Sequence, residues 1–107
     1  MRLKVLDRLA LLSILPAQGN FLTLSISDDI RAKVNFDAQE RTALSLQQTA
    51  PGSFTWSEEA DVGTEMVFSP AERDLIAGEL KLLDQQSRLT PHTIGLYRMF
   101  VLGHAPA

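Results

Sequence analysis

The sequence predicts a small α+β domain, mostly helical by residue count, and three observations lead there. Apolar residues recur at three- and four-residue spacing over most of the chain. From Leu44 to Trp56 the period drops to two, around a Pro51-Gly52 turn signal. Helix-start residues stand at Asn20, Asp37, Ser69 and Thr90. The expected order is three helices, a β-hairpin with a third short strand, then two helices. That order is winged-helix-like, and nothing in it divides the chain into more than one domain.

Residues 2–15 read as the first helix. Leu3, Leu6, Leu9 and Ala10 fall near one stripe that Val5 and Leu12 widen, while Lys4, Asp7 and Arg8 mark the wet side, with Leu11 close to it. Pro16 and Gly19 stop it. Residues 21–34 carry two patterns. Leu22, Leu24 and Ile26 alternate with polar residues as in a strand, whereas Leu22, Ile26, Ile30 and Val34 keep a four-residue series behind the cap Asn20. The longer series predicts a helix. The alternative is a short strand over 21–27, followed by a helix capped by Ser27 or Asp28.

Asp37 and Glu40 have capping-box spacing and predict a short helix over 38–43. Leu44 and Leu46, then Phe54 and Trp56, alternate with polar residues on either side of Pro51-Gly52, which predicts strands over 44–49 and 54–58. Thr64 to Phe68 follows the Asp61-Val62-Gly63 turn as a third strand. Ser69-Pro70-Ala71-Glu72 opens the next helix, with Leu75, Ile76, Leu80 and Leu83 as its buried stripe. Thr90-Pro91 opens the last, with Ile94, Tyr97 and Val101 on one face, and Gly103 ends it. A loose tail is expected over 104–107.

Composition narrows the function. At 107 residues and 45% apolar, the chain suits one domain with a modest core. The absence of cysteine removes disulfides, thiolate metal sites and cysteine nucleophiles. A net charge of −3 is the wrong sign for a generic nucleic-acid binder. The longest dense apolar stretch, Leu9 to Leu15, is far short of a membrane span. Arg2 and Lys4 precede it as in a signal peptide, but Asp7 and Arg8 cut into it, so a cytoplasmic protein is expected.

The winged-helix order raises DNA binding, yet no Lys or Arg occurs between Thr42 and Glu72, where Glu58, Glu59, Asp61 and Glu65 cluster. A wing lying along phosphates needs cations, so nucleic acid is not the expected partner. The acidic segment lacks calcium-loop spacing, and Asp28-Asp29 reads as helix-start electrostatics. His92, in the first turn of the last helix, and His104 form no metal-ligand pair, and no oriented nucleophile–base set is apparent. No enzyme, metal or cofactor is expected. Trp56 has two readings: core, packed with Leu44 and Leu46, or an outward anchor for a partner; Tyr97 has the same two. Leu11 and Leu82, off their helices' main stripes, add candidate apolar surface for a partner or for self-association.

Several stretches resemble small, largely uncharacterised proteins of tailed bacteriophages and prophages. They are Leu11-Leu12-Ser13-Ile14-Leu15-Pro16, Gly19-Asn20-Phe21, Thr55-Trp56, the late helix from Asp74-Leu75-Ile76 to Leu82-Leu83-Asp84, and Leu89-Thr90-Pro91 leading to Leu96-Tyr97. The resemblance implies a phage accessory protein in a bacterial cytoplasm and attaches no activity to any residue. The leading expectation is a non-catalytic protein that binds a host or phage protein. The alternative is an oligomer holding a nucleotide-like ligand between copies, with Arg31, Lys33, Arg73 or Arg98 as phosphate contacts. A winged-helix DNA-binding domain comes third.

Overall fold

A computed structural model describes residues 1–103; the expected tail 104–107, including His104, lies outside the described residues. Local capping sets most of the architecture. Asn20 accepts from the Thr23 N–H and opens α2 (Phe21–Val34), so the strand alternative over 21–27 does not form. Asp37 and Glu40 cap reciprocally at the start of α3 (Ala38–Leu44). Ser69 and Glu72 do the same for α4 (Pro70–Gln85), with Pro70 at the first helical position. Including α1 (Val5–Ile14) and α5 (Ile94–Phe100), five helices are present among the described residues.

The strands are shorter than their propensity suggests. Around the Pro51-Gly52 turn, where Gly52 has φ +77°, Gln47–Ala50 pairs antiparallel with Ser53–Thr55 through an irregularity at Gln48 to Ala50. Counting in chain order, these are β2 and β3. The third expected strand shrinks to β4 (Thr64–Glu65), and its partner is β1 (Arg2–Leu3) rather than the hairpin. Two separate two-stranded antiparallel sheets result. Met66 and Phe68, read from sequence as strand, leave the ladder and enter the core.

Three expectations at the N-terminus are corrected. Helix 2–15 starts only at Val5, because Arg2 and Leu3 are drawn into the ladder with Thr64 and Glu65. Arg8 is not on the wet side: it is 3% exposed. Leu11 is not spare surface: it is fully buried in the core. The cause is a rotation of α1's buried face. Arg8, Leu11 and Leu15 point inward at three- and four-residue spacing, and Leu6 and Ser13 are exposed on the far side. Burying a leucine is worth about 2–3 kcal/mol either way, so an apolar helix offers two competing faces. The competition is settled by Arg8, whose charge finds partners inside.

Those partners form a polar post. Arg8 Nε donates to the Val34 carbonyl at 2.9 Å, and Nη2 to the Asn35 carbonyl at 2.7 Å. Nη1 and Nη2 grip the Glu40 carboxylate, and the guanidinium rests 3.9 Å from the Phe36 ring centroid. Arg8 therefore satisfies the C-terminal carbonyls of α2 and anchors the start of α3. The post is needed because α3 contributes no buried residue of its own. Its hydrogen bond holds the Glu40 carboxyl below the usual glutamate value, outweighing the opposing effect of burial.

One core cluster joins Leu11 of α1 and Leu15, which caps its C-terminus, to Ile30 and Val34 of α2, Ile76 and Leu80 of α4, and Leu96 and Met99 of α5. α1 touches α2, α4 and α5. Phe68 meets Phe100 edge-on at 5.6 Å between centroids. A second clamp ties α2 to α4, where Lys33 Nζ donates to Glu72 and to the Val67 carbonyl. Burial raises the Glu72 pKa, but hydrogen bonds from Lys33 and Ser69 outweigh it and leave the group below its usual value. Between Phe36 and Met66 no residue is buried. The expected core packing of Phe54 and Trp56 with Leu44 and Leu46 is thus corrected: Leu44 ends α3, Ser45 turns left-handed at φ 53°, and Phe54 is exposed.

The last helix begins later than Thr90-Pro91 suggests. Thr90 and Thr93 bond each other's backbone N–H, which holds 91–93 in a turn before Ile94. His92 accordingly sits in that turn, and the buried face is Leu96 and Met99, with Ile94 exposed.

Candidate functional site

α1 is apolar on more sides than the core can use, and the surplus faces an open groove. Leu6, Leu9, Leu12 and Ser13 form its floor, with the small Ala10 between them. The hairpin supplies one wall through Gly52, Ser53, Phe54 and Trp56, and Thr90, His92 and Thr93 supply the other. The space is about 640 Å³. No charged side chain lines it.

Phe54 and Trp56 reach the groove together because alternate residues share one face of an extended strand. The Pro51-Gly52 turn sets that face, and no hairpin residue from Gln47 to Thr55 is buried. Trp56 is half-buried; Leu6 is 40% and Phe54 37% exposed. These side chains hold an apolar surface in water without covering one another. Chemically the groove can desolvate apolar side chains and accept hydrogen bonds at Ser13, Thr90 or Thr93. Its hydroxyls at Ser13, Ser53, Thr90 and Thr93 share no hydrogen bond with His92 among the described residues. Among the described residues, no group of three or more His, Asp or Glu side chains is placed to hold a metal ion.

A smaller cavity of about 170 Å³ lies on the other side of α1, between Leu3, Val5, Arg8, Glu40 and the 60–64 turn. Its polar groups are already engaged. Asp61 accepts from the Val5 N–H at 3.1 Å, capping α1 from across the chain, and Arg8 and Glu40 hold each other. This cavity is part of the framework.

Of the interaction residues expected from sequence, the structure places Trp56 alone in the groove. Leu11 is core and cannot meet a partner without unfolding. Leu82 is 46% exposed on α4, and Tyr97 is half-buried on α5; neither lines the groove. Desolvation and the neighbouring Asp84, 3.4 Å away, raise the Tyr97 pKa. Of the four candidate phosphate contacts, Arg31 is bonded to Asp28 and the Pro16 carbonyl, and Lys33 to Glu72 and the Val67 carbonyl. Arg73 and Arg98 are exposed. Sequence reasoning missed Leu6, Leu9 and Leu12 as site residues because they were assigned to the core. The available signal was an excess: leucines at 3, 6, 9 and 12 and again at 11 and 15 are more than one buried stripe requires.

Away from the groove, Phe21 and Leu22 at the start of α2 are 88% and 67% exposed, so Leu22 is not the core residue its four-residue series implied. No helix of the described residues is long and apolar enough to cross a membrane. No protein-family model matches this chain, and no curated protein or solved structure is significantly similar to it.

Proposed function

We propose that this chain is a non-catalytic binding module that takes a segment of another protein into the groove between α1 and the β2–β3 hairpin. The observation that carries this is the rotation of α1, which turns Leu6 and Leu9 away from the core to face Phe54 and Trp56. Aromatic residues beside an open apolar floor are the composition of a protein-binding centre. In keeping with the resemblance to phage proteins, the setting we propose is a bacterial cytoplasm, with a host or phage protein as partner. Three helices followed by a hairpin is also the winged-helix order, but this hairpin carries no Lys or Arg and leads into Glu58 and Glu59. That charge supports a protein over nucleic acid. The structural engagement of Arg31 and Lys33 similarly supports it over a nucleotide held between copies.

A photo-crosslinking side chain at Ser13, exposed in the groove, tests the proposal against one at the exposed Ala32 of α2. The expected result is a protein adduct in cells from position 13 that disappears in the folded Trp56→Ala variant. Equal adducts from both positions, or none from position 13, would overturn it.

A further inference from the structure

We infer that the occupant of the groove is a basic amphipathic helix of the partner, with its apolar stripe on α1 and its Lys or Arg residues at the end where α1 begins. This rests on the groove being the binding site and adds the partner's secondary structure and charge.

Shape comes first. The floor is itself a helix face, and Leu6 to Ser13 rise about 10 Å, two turns. Ridges on such a face pack into the grooves of another helix. Strand addition needs a backbone edge beside the space, whereas Phe54 and Trp56 turn a strand's side-chain face toward it.

Charge then selects the partner. Directly after Trp56 the chain runs through Ser57, Glu58 and Glu59 to Asp61, whose carboxylate is fixed to the N-terminus of α1. This stretch is therefore pinned between the aromatic wall and the first turn of the floor helix. Glu58 and Glu59 are exposed and have no ion-pair partner among the described residues. The cations nearby are exposed Lys4 and Arg2, and the Arg2 guanidinium is engaged by the Val62 and Gly63 carbonyls. Asp7 and Asp61 are taken up by the Lys4 and Val5 N–H groups, so the unpaired carboxylates beside Trp56 are Glu58 and Glu59. Arg88 stands two residues before Thr90, beyond the opposite wall. An apolar floor with carboxylates gathered at one end is complementary to a helix carrying cations beside its apolar stripe.

Trp56 is the only tryptophan, so its emission reports groove occupancy directly. Two model peptides of about 14 residues, long enough for marginal helicity, share one leucine stripe and differ in having lysine or glutamate on the polar face. Each is titrated into the full chain while Trp56 emission and backbone amide shifts are followed. The lysine peptide is expected to shift Trp56 emission and to bind about tenfold tighter than the glutamate peptide at low salt. That preference shrinks at about 0.5 M salt. The Glu58→Lys/Glu59→Lys variant, altered only at exposed unpaired positions, is expected to reverse it. Equal binding of the two peptides at Trp56 would refute the basic helix and leave the groove intact as a docking site. No response at Trp56 from either, or amide shifts confined to Phe21 and Leu22, would overturn the groove itself. A concentration-dependent Trp56 shift without peptide would replace the partner helix with a second copy.

Discussion

Arg8→Ala is the substitution to which this fold is expected to be most sensitive. The guanidinium holds two carbonyls at the end of α2, both oxygens of Glu40 and the face of Phe36. Hydrogen bonds from a charged donor to a carbonyl are worth about 1.5–3 kcal/mol each, and a desolvated cation–π contact about 2 kcal/mol. Burying the guanidinium offsets much of that sum. Glu40 keeps 32% of its side chain exposed and rehydrates once freed, so its share stays near the 0–1 kcal/mol of a surface pair, about. The shielded carbonyls of Val34 and Asn35 cannot rehydrate as easily. The net loss is about 3–5 kcal/mol, as for removing one member of a buried pair. Against a total stability of about 5–15 kcal/mol, this is a fall in melting temperature of at least about 12 °C. Urea unfolding followed by circular dichroism measures it. Arg8→Lys, which retains the charge but not the fork, is the milder variant should alanine not fold; it is expected to lose about half as much. A loss below about 1 kcal/mol for Arg8→Ala would place the side chain with ordinary surface residues and refute the post.

Three further outcomes follow from the same structure. Glu40 and Glu72 both have lowered pKa values in the fold, so their stabilisation is fully present above the unfolded glutamate value and is lost as pH falls through the folded values. Unfolding free energy should drop below about pH 4.3, and Glu40→Gln should flatten that slope; an unchanged slope counts against the assignment. Ser27 is fully buried with an unpartnered hydroxyl, so Ser27→Ala should raise stability by about 1 kcal/mol in chemical denaturation, and a loss of that size would reveal a hidden partner. Gly63 has φ +84°, and a Cβ there would stand 2.7 Å from Arg2 Cγ, whose guanidinium donates to the Val62 and Gly63 carbonyls. Gly63→Ala should lower the melting temperature and loosen β1 from β4, by about 1–3 kcal/mol; a neutral result would show that Arg2 moves freely.

The parts of this fold legible in the sequence are those fixed within one turn of chain. Asn20, the Asp37–Glu40 pair and the Ser69–Glu72 pair each satisfy backbone N–H groups three residues away, so the starts of α2, α3 and α4 were readable. What was not legible depends on distant partners. β1 is two residues long and pairs with residues more than sixty positions away, which leaves no local periodicity to read. Arg8 looks like a surface residue unless Val34, Asn35 and Glu40 are known to surround it. Leu44 and Leu46 alternate as a strand would, but Leu44 closes α3 and a left-handed Ser45 separates the two. The candidate site was half visible. Trp56 stood out as the sole tryptophan, whereas Leu6 and Leu9 were concealed by their resemblance to a core stripe.

The long run without a buried residue, from Phe36 to Met66, divides the molecule by tolerance to change. Closing a loop of about 29 residues costs only about 3 kcal/mol in chain entropy, and that figure grows slowly with length. The remaining helices α1, α2, α4 and α5 hold the core among themselves. Beyond Glu40, which Arg8 holds, residues 41–55 are therefore free to drift, lengthen or be exchanged with little penalty to folding, and amide exchange there should proceed by local opening. A lineage of such chains would keep its helical frame while its hairpin diverges, so that one stable scaffold carries a changing surface on its most dispensable stretch.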